Sequence, residues 1–194
     1  MAQPNTLFLA SGNPHKIEEL QQILEPLGIH LKSTLDYPDA LEVEEDQPDL
    51  KGNALKKARF WYHRTGLPSI ADDTGLEIEA LDGAPGVYSA RYAGDNATYQ
   101  DNVDKLLEEM DEKKNRAAQF RTVIAYITND EEHLFEGVCK GIILTEEKGT
   151  KGFGYDPVFE PEGYNETFAE LDAEEKNKIS HRGRALEKFL EFLK

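Results

Sequence analysis

The sequence predicts a protein of the α/β class, because strand-like apolar runs alternate with amphipathic helices before a long hairpin. Residues 6–10 form an apolar run typical of a buried strand, and a helical pattern follows directly. Residues 118–128 are rich in β-branched and aromatic side chains, and a polar turn at 129–132 joins them to a second such stretch at 133–144. We therefore expect helices that flank a sheet, in a chain without internal repeats.

Composition predicts one soluble globular domain. The 194 residues are 39% hydrophobic and 31% charged, and no apolar run approaches the length of a membrane span. The formal net charge of −16 argues against nucleic-acid binding through a basic face, but a local basic pocket can still bind a small phosphorylated ligand. Cys139 is the only cysteine, which excludes an intrachain disulfide. The N-terminus lacks a basic region leading into an apolar core, so we expect a cytoplasmic protein without membrane contact.

The turn after the first strand has the layout of a phosphate-binding site. It reads Ser-Gly-Asn-Pro-His-Lys at residues 11–16, and a helical apolar pattern begins at Ile17. Asn13 is expected to cap this helix, Pro14 fits its first turn, and Lys16 adds a positive charge beside the helix N-terminus. The alternative left open by these residues is an ordinary asparagine cap beside a solvated lysine.

A second helix is predicted from apolar side chains at helical spacing in residues 50–61, ended by Gly-Leu-Pro at 66–68. Asn53 and Lys57 are four residues apart and share a face that borders the apolar stripe. From this spacing alone, Lys57 is expected to extend its ammonium group to solvent. The acidic segment at 41–46 is likewise expected to be solvated surface.

The stretch at residues 69–76, Ser-Ile-Ala-Asp-Asp-Thr-Gly-Leu, is a candidate for chemistry. Its adjacent carboxylates, Asp72 and Asp73, should point to opposite faces of a strand. A carboxylate at the end of a buried strand suits a divalent cation or a general base, and we expect the other to brace a turn at Thr74 and Gly75. The alternative is an ordinary strand that ends in a turn.

Two loops are expected to contact a ligand or another surface. Residues 81–94 are rich in glycine, alanine and aromatic side chains, which predicts packing against a core edge, a partner subunit or a ligand. Residues 149–159 contain three glycines that let the backbone approach a ligand closely. Phe153 and Tyr155 in this loop offer faces for stacking.

Two further helices are predicted from their caps. Residues 98–101 have the pattern of a capping box, and Ser180 is expected to cap the last helix. His181 and Arg182 then fall in the first turn of that helix. Two cations at this place oppose the helix dipole, which favours an anionic or other ligand as their partner.

Taken together, these segments resemble the inosine triphosphate pyrophosphatase family, also called the Ham1 or RdgB-type non-canonical purine NTP pyrophosphatases. The resemblance extends over nearly the whole chain and rests on residues 11–16, 53–58, 70–76, 83–94, and 152–159 with 180–182. It implies an α/β fold with an elongated mixed β-sheet flanked by helices, in a single domain at residues 1–194 with two lobes around a central substrate cleft. It also implies a homodimer.

The resemblance further implies a reaction. ITP, dITP and XTP would be hydrolysed to the monophosphate and pyrophosphate with Mg²⁺ as cofactor, which removes deaminated purines from the nucleotide pool. Hypoxanthine and xanthine carry an oxygen at position 6, where adenine carries an amino group. Donors from Arg182 or His181 would therefore select these bases over adenine. The sequence leaves open what excludes GTP and how ITP, dITP and XTP are ranked.

The resemblance assigns the site residues as well. Asp73 would be the catalytic general base and, together with Glu45, a ligand of Mg²⁺. The residues that would bind the phosphates or the nucleoside are Ser11, Gly12, Asn13, Pro14, His15, Lys16, Asn53, Lys57, Thr74, Phe153, Gly154, Tyr155, Asp156, Lys176, His181 and Arg182. The acidic segment departs from the common bacterial pattern of the family, so Glu44, Glu45 and Asp46 all remain metal candidates.

Three other functions remain as alternatives. Asp72, Asp73 and Thr74 are similar to the nucleophile motif of haloacid-dehalogenase phosphatases, although the spacing differs. A Maf-type nucleotide pyrophosphatase with other base specificity is the second alternative, against which His181 and Arg182 argue. The third is a non-catalytic nucleotide-binding regulator, against which the retained carboxylate of Asp73 argues.

Overall fold

A computed structural model describes residues 4–37, 39, 43–129 and 131–194. Its helices are α1 Pro14–Leu24, α2 Leu50–Thr65, α3 Tyr99–Glu109, α4 Ala173–Ile179 and α5 His181–Leu193. Its strands are β1 Thr6–Leu9, β2 His30–Ser33, β3 Ser69–Ile78, β4 Pro85–Gly86, β5 Ala117–Thr128, β6 Glu131–Ile143 and β7 Phe159–Pro161. Leu41 and Glu42 of the predicted acidic segment, and Asp130 of the predicted hairpin turn, lie outside the described residues.

The strands form one mixed sheet. In the described part of the chain it has seven strands in the order β2-β1-β3-β5-β6-β7, with β4 paired to β3. β1 is parallel to β2 and β3, whereas β3–β4 and β6–β7 are antiparallel pairs. β5 and β6 are sheet neighbours joined by two residues, a connection that only an antiparallel pair allows. The predicted α/β class, with a mixed sheet flanked by helices, is confirmed.

The chain divides into two compact units. The first contains Met1–Asp73, Val123–Glu136 and Ala185–Lys194, and the second contains Thr74–Thr122 and Gly137–Arg184. Each unit has its own hydrophobic core. The prediction of a single domain with two lobes stays a prediction. None of the helices formed by the described residues is both long and apolar enough to cross a membrane.

The helix caps follow the sequence signals. The Asn13 side chain accepts hydrogen bonds from the backbone at the start of α1, and Asp49 does the same for α2. Thr98 and Asp101 form the predicted capping box of α3. Gly66 ends α2 with a φ of 68°, a left-handed conformation that favours glycine.

The turn predicted at Thr74 and Gly75 is wrong, because β3 continues through both residues to Ile78. A Cβ atom at position 75 would lie only 2.7 Å from the carbonyl oxygen of Gly86 in the paired strand β4. Close backbone approach, not a turn, therefore explains the glycine at this position.

Helices α4 and α5 meet at Ser180, which ends α4 and, as predicted, caps α5. Its hydroxyl oxygen accepts a hydrogen bond from the backbone N–H of Gly183 at 3.0 Å. A Cβ atom at position 183 would lie 1.7 Å from the carbonyl oxygen of Asn177 in α4. Glycine at this position therefore lets α4 approach the first turn of α5, which carries His181 and Arg182.

We expect Gly183→Ala to lower the free energy of unfolding by about 1–3 kcal/mol, because the backbone of α4 must move away from the added methyl group. Chemical denaturation measures this change. The control is Glu187→Ala, an exposed position on α5 that should stay within about 0.5 kcal/mol of the wild type. Equal stability of the two variants would contradict the proposed close packing.

Candidate active site

Lys57 is the centre of a charged cluster in the first unit. Its ammonium nitrogen lies 2.6 Å from a carboxylate oxygen of Glu45 and 3.2 Å from one of Asp73. It also donates to the backbone carbonyl of Asp72 at 3.0 Å. The expectation that Lys57 extends to solvent is wrong, because these oxygen atoms satisfy the ammonium group inside the protein, where the residue is 9% exposed.

The cluster perturbs the protonation of its members. Burial acts to lower the pKa of Lys57, but the carboxylates of Asp73, Glu45 and Asp72 outweigh it, so that the pKa is raised. Burial raises the pKa of Asp73, and the nearby charge of Lys57 only partly offsets this effect. The unit therefore contains a lysine held in its charged form beside a buried carboxyl group.

Asp72 and Asp73 contact different lysines, as expected for neighbours that alternate along a strand. The ammonium nitrogen of Lys16 in α1 lies 3.0 Å from a carboxylate oxygen of Asp72, whereas Asp73 contacts Lys57 in α2. Both carboxylates belong to β3 and both are buried. Two helices thus each bring one lysine to consecutive residues of the same strand.

The segment before α1 caps the helix whose first turn carries Lys16. Ser11 accepts a hydrogen bond from the backbone of Asn13, whose side-chain oxygen accepts from the backbone of His15 at 3.0 Å and of Lys16 at 3.4 Å. Pro14 is the first residue of α1, and a Cβ atom on Gly12 would lie 2.9 Å from the Thr34 hydroxyl oxygen. The asparagine cap is therefore real, but Lys16 is paired with Asp72 and not merely solvated.

Glu45 is the acidic-segment residue that reaches this cluster. Glu44 is exposed, and Asp46 pairs with Lys56 at 2.8 Å on the protein surface. Glu45 instead shares the Lys57 ammonium group with Asp73. Of the three metal candidates, Glu45 is therefore the one that the fold brings to Asp73, which also corrects the expectation of a wholly solvated segment.

The carboxylates of Glu45 and Asp73 fit the needs of Mg²⁺. No group of three or more His, Cys, Asp or Glu side chains that could hold a metal occurs among the described residues. Mg²⁺ is usually bound by one or two carboxylates, with substrate phosphates and water completing its shell. Two carboxylates gathered around one ammonium group match that donor set.

Asn53 lies in the same cluster and is fully buried. Its amide nitrogen donates to Asp73 at 3.2 Å, and its amide oxygen accepts from the backbone N–H of Gln47 at 3.0 Å. Both polar ends of the side chain therefore contact the protein itself.

A second cluster, in the second unit, is organised around the ring of Phe153. The ammonium nitrogen of Lys176 lies 5.0 Å from the ring centroid, and the guanidinium carbon of Arg182 lies 5.6 Å from it. Arg182 also donates to the hydroxyl of Thr74 at 3.3 Å. Two buried cations therefore contact one half-buried aromatic ring, an arrangement stabilised by cation–π attraction.

Asp156 holds this second cluster together. One of its carboxylate oxygens accepts from Lys176 and from the backbone of Phe153, both at 2.8 Å. A Cβ atom on Gly152 would lie 2.1 Å from the same oxygen, and Gly154 has a φ of 62°. The glycines of the loop therefore let its backbone fold around the Asp156 carboxylate.

His181 and Tyr155 complete the predicted nucleoside residues. The His181 ring stacks on Phe120, with centroids 4.5 Å apart. Tyr155 is 5% exposed within the core of the second unit, its hydroxyl donates to the backbone of Ser89 at 2.8 Å, and burial raises its pKa. The ring of Tyr155 therefore packs against the core, which leaves Phe153 as the half-exposed aromatic side chain of the loop.

Sequence reasoning missed three contributors to these clusters. Phe120 supports His181, and Thr122 lies 2.6 Å from Thr74 between the two hydroxyl oxygens. Asp72 binds Lys16 and was expected only to brace a turn. The alternation of residues 118–128 could have identified Phe120 and Thr122 as sharing one face of a strand, but nothing local indicates what they contact.

Comparison with known proteins agrees with these features. The model of the Ham1 family matches residues 7–192. A dITP/XTP pyrophosphatase of Flavobacterium psychrophilum is 48% identical over 188 residues, which cover 97% of this chain and 98% of the relative. The structure of a HAM1 protein from Coxiella burnetii is 42% identical and has a TM-score of 0.87, covering 100% of this chain and 98% of that one.

A third similar protein is the Ham1 protein of Staphylococcus aureus. Its structure is 37% identical with a TM-score of 0.86, and the match covers 97% of both chains. Family match, sequence identity and fold agree over nearly the full length of the chain. The chain belongs to the Ham1 family.

Proposed function

We propose that this protein hydrolyses non-canonical purine nucleoside triphosphates, namely dITP, XTP and ITP, to the monophosphate and pyrophosphate. The Ham1 family membership and the name of its dITP/XTP pyrophosphatase relative support this function. The observation that carries it is the cluster in which Lys57 is shared by Glu45 and Asp73, because it combines the cation and the carboxylates that a metal-bound polyphosphate needs.

The proposed reaction gives tasks to Asp73, Lys16 and Lys57. A water oxygen attacks the α-phosphorus, the bond between this phosphorus and the bridging oxygen breaks, and pyrophosphate leaves. Asp73 accepts the proton that the water loses. Lys16 and Lys57 stabilise the negative charge that develops on the pyrophosphate.

Mg²⁺ is the proposed cofactor. Glu45 and Asp73 would hold it, and it would supply charge neutralisation and acidify bound water. Because two carboxylates leave most of its coordination shell to the substrate, this arrangement suits a cofactor that arrives with the triphosphate.

The second cluster is proposed to bind the nucleoside. Phe153 presents a half-exposed ring for stacking with the base, while Lys176 and Arg182 supply hydrogen-bond donors beside it. A hydrogen-bond donor aimed at position 6 of the base pairs with the oxygen of hypoxanthine or xanthine. With adenine, the same donor faces an amino group, which is also a donor, and no hydrogen bond forms. Such a mismatch in a buried site accounts for discrimination against ATP.

Further properties of this proposal follow from the family resemblance and the charge. We propose a homodimer, as the resemblance implies, and a cytoplasmic location, where the nucleotide pool is found. The net charge of −16 argues against nucleic acid as the partner but still allows a small phosphorylated ligand in a local basic pocket.

Incubation of the protein with a panel of purine and pyrimidine triphosphates and Mg²⁺ tests the reaction directly. We expect pyrophosphate and monophosphate from dITP, XTP and ITP, with much slower turnover of ATP, and loss of activity when EDTA removes the metal. Product analysis by ion-exchange chromatography measures the outcome. Release of orthophosphate would instead indicate a phosphatase. A preference for pyrimidine or modified nucleotides would indicate a Maf-type enzyme, and binding without turnover would indicate a regulator.

We expect Asp73→Asn to lower kcat by roughly 10²–10⁴-fold while the fold is kept, because the variant removes the proton acceptor but preserves the side-chain shape. Steady-state kinetics with dITP and circular dichroism check the two statements. The matched control is Asp46→Asn, which removes an acidic-segment carboxylate that pairs with Lys56 at the surface. Unimpaired turnover in Asp73→Asn would overturn the role assigned to this residue.

Arg182→Ala is expected to reduce the ratio of kcat/KM for ITP to that for ATP by about 10–100-fold, because ITP loses a donor that ATP cannot use. The ratio is measured by competition between the two nucleotides. Arg184→Ala removes the next basic side chain, which is exposed and donates to the backbone of Val138, and should leave the ratio unchanged. Equal losses for ITP and ATP in Arg182→Ala would show that Arg182 does not read the base.

A further inference from the structure

We infer that Asn53 is a positioning residue that joins the acidic segment to Asp73 and so presets the Glu45 and Asp73 carboxylates for a divalent cation. This inference rests on the proposed function. It reassigns Asn53 from the substrate contact implied by the family resemblance to a contact within the protein.

The two hydrogen bonds of Asn53 determine the orientation of its amide. The backbone N–H of Gln47 is a donor and requires the amide oxygen, which accepts it at 3.0 Å. The Asp73 carboxylate is an acceptor and requires the amide nitrogen, which donates to it at 3.2 Å. Only a side chain with a donor and an acceptor at adjacent positions satisfies both partners.

Asn53 and Lys57 together fix both oxygens of Asp73. One oxygen contacts Lys57 at 3.2 Å, and the other accepts the hydrogen bond from Asn53. The two residues are one helical turn apart on α2, so a single rigid element holds the plane of the carboxylate. Asp73 is therefore oriented from two sides by the same helix.

The contact with Gln47 acts on the second carboxylate, Glu45. A Cβ atom on Gly52 would lie 2.7 Å from the Cβ of Gln47, so the residue that follows the acidic segment packs directly on the first turn of α2. Gln47 is only two residues from Glu45, whose carboxylate contacts Lys57 at 2.6 Å. The bond from Gln47 to Asn53 therefore anchors the backbone that carries Glu45.

This arrangement gives Asn53 an effect that a merely structural asparagine lacks. Without the amide, the backbone N–H of Gln47 and one oxygen of Asp73 both lose a buried hydrogen-bond partner. The carboxylates of Glu45 and Asp73 then lose the side chain that connects the segments carrying them. Residues that orient metal ligands typically change metal affinity or activity by about 10–100-fold when they are mutated. We expect a change of this size in cation affinity.

Asn102 provides the matched control. It is also a buried asparagine on a helix, and its amide accepts from the backbone of Ala93 at 2.8 Å and donates to the backbone of Ala90 at 3.1 Å. It belongs to the second unit and contacts none of the proposed metal ligands in these bonds. Asn102→Ser should therefore lower stability without changing cation affinity.

The experiment compares Asn53→Ser, Asn53→Leu and Asn102→Ser with the wild type. Electron paramagnetic resonance of free Mn²⁺ measures cation affinity in the presence of an α,β-methylene analogue of dITP that resists cleavage, after subtraction of the Mn²⁺ that the analogue binds without protein. We expect the dissociation constant of Mn²⁺ to rise about 10–100-fold in both Asn53 variants and to change less than about twofold in Asn102→Ser. In kinetics, the half-saturating Mg²⁺ concentration should rise in parallel for the Asn53 variants.

Wild-type Mn²⁺ affinity in a folded Asn53→Ser variant, or an equal loss in Asn102→Ser, would overturn the inference. Thermal unfolding identifies folded variants, and Asn53→Leu, a neutral side chain of similar size that bonds neither partner, serves if the serine variant does not fold. A wild-type protein that releases no pyrophosphate from any purine triphosphate would refute the proposed function instead, so the two failures are distinguishable.

Discussion

The burial of the Lys57 ammonium group is the constraint on which the first charged cluster depends. An isolated charge inside a protein is strongly destabilising unless oxygen atoms replace the water that it loses. Glu45, Asp73 and the backbone of Asp72 supply those oxygens. These oxygens come from an irregular segment and from strand β3, and the lysine comes from helix α2. The contacts of one lysine therefore fix the relative positions of three parts of the chain, and they bring together the carboxylates proposed to bind the metal.

The second cluster follows the same physical rule with different chemistry. Lys176 and Arg182 are buried, and their charges are compensated by Asp156, by the hydroxyl of Thr74 and by the ring of Phe153. A chain with a net charge of −16 thus places several of its cations inside the protein, next to polar groups of opposite sign.

Much of the fold could be predicted because its signals are local. Asn13 and Thr98 cap their helices as predicted, and Gly66 ends α2. Predictions failed where a distant backbone or side chain decides the outcome. Gly75 lies within a strand because Gly86 approaches it, and Tyr155 packs in the core although its loop suggested an available stacking face. For the site, the family resemblance supplied the residue roles, and the sequence pattern did not.

The sequence by itself determined most of the longer helices and strands, since periodicity, caps and glycines act over a few neighbouring residues. It also determined which acidic and basic side chains are candidates for the site. Tertiary structure alone decided that Glu45, and neither Glu44 nor Asp46, shares an ammonium group with Asp73. It likewise decided that Asn53 bridges Gln47 and Asp73. The physical reason is that hydrogen bonds and ion pairs depend on distances between atoms, and residues 45, 53 and 73 are brought within bonding distance only when the strand and helix pack.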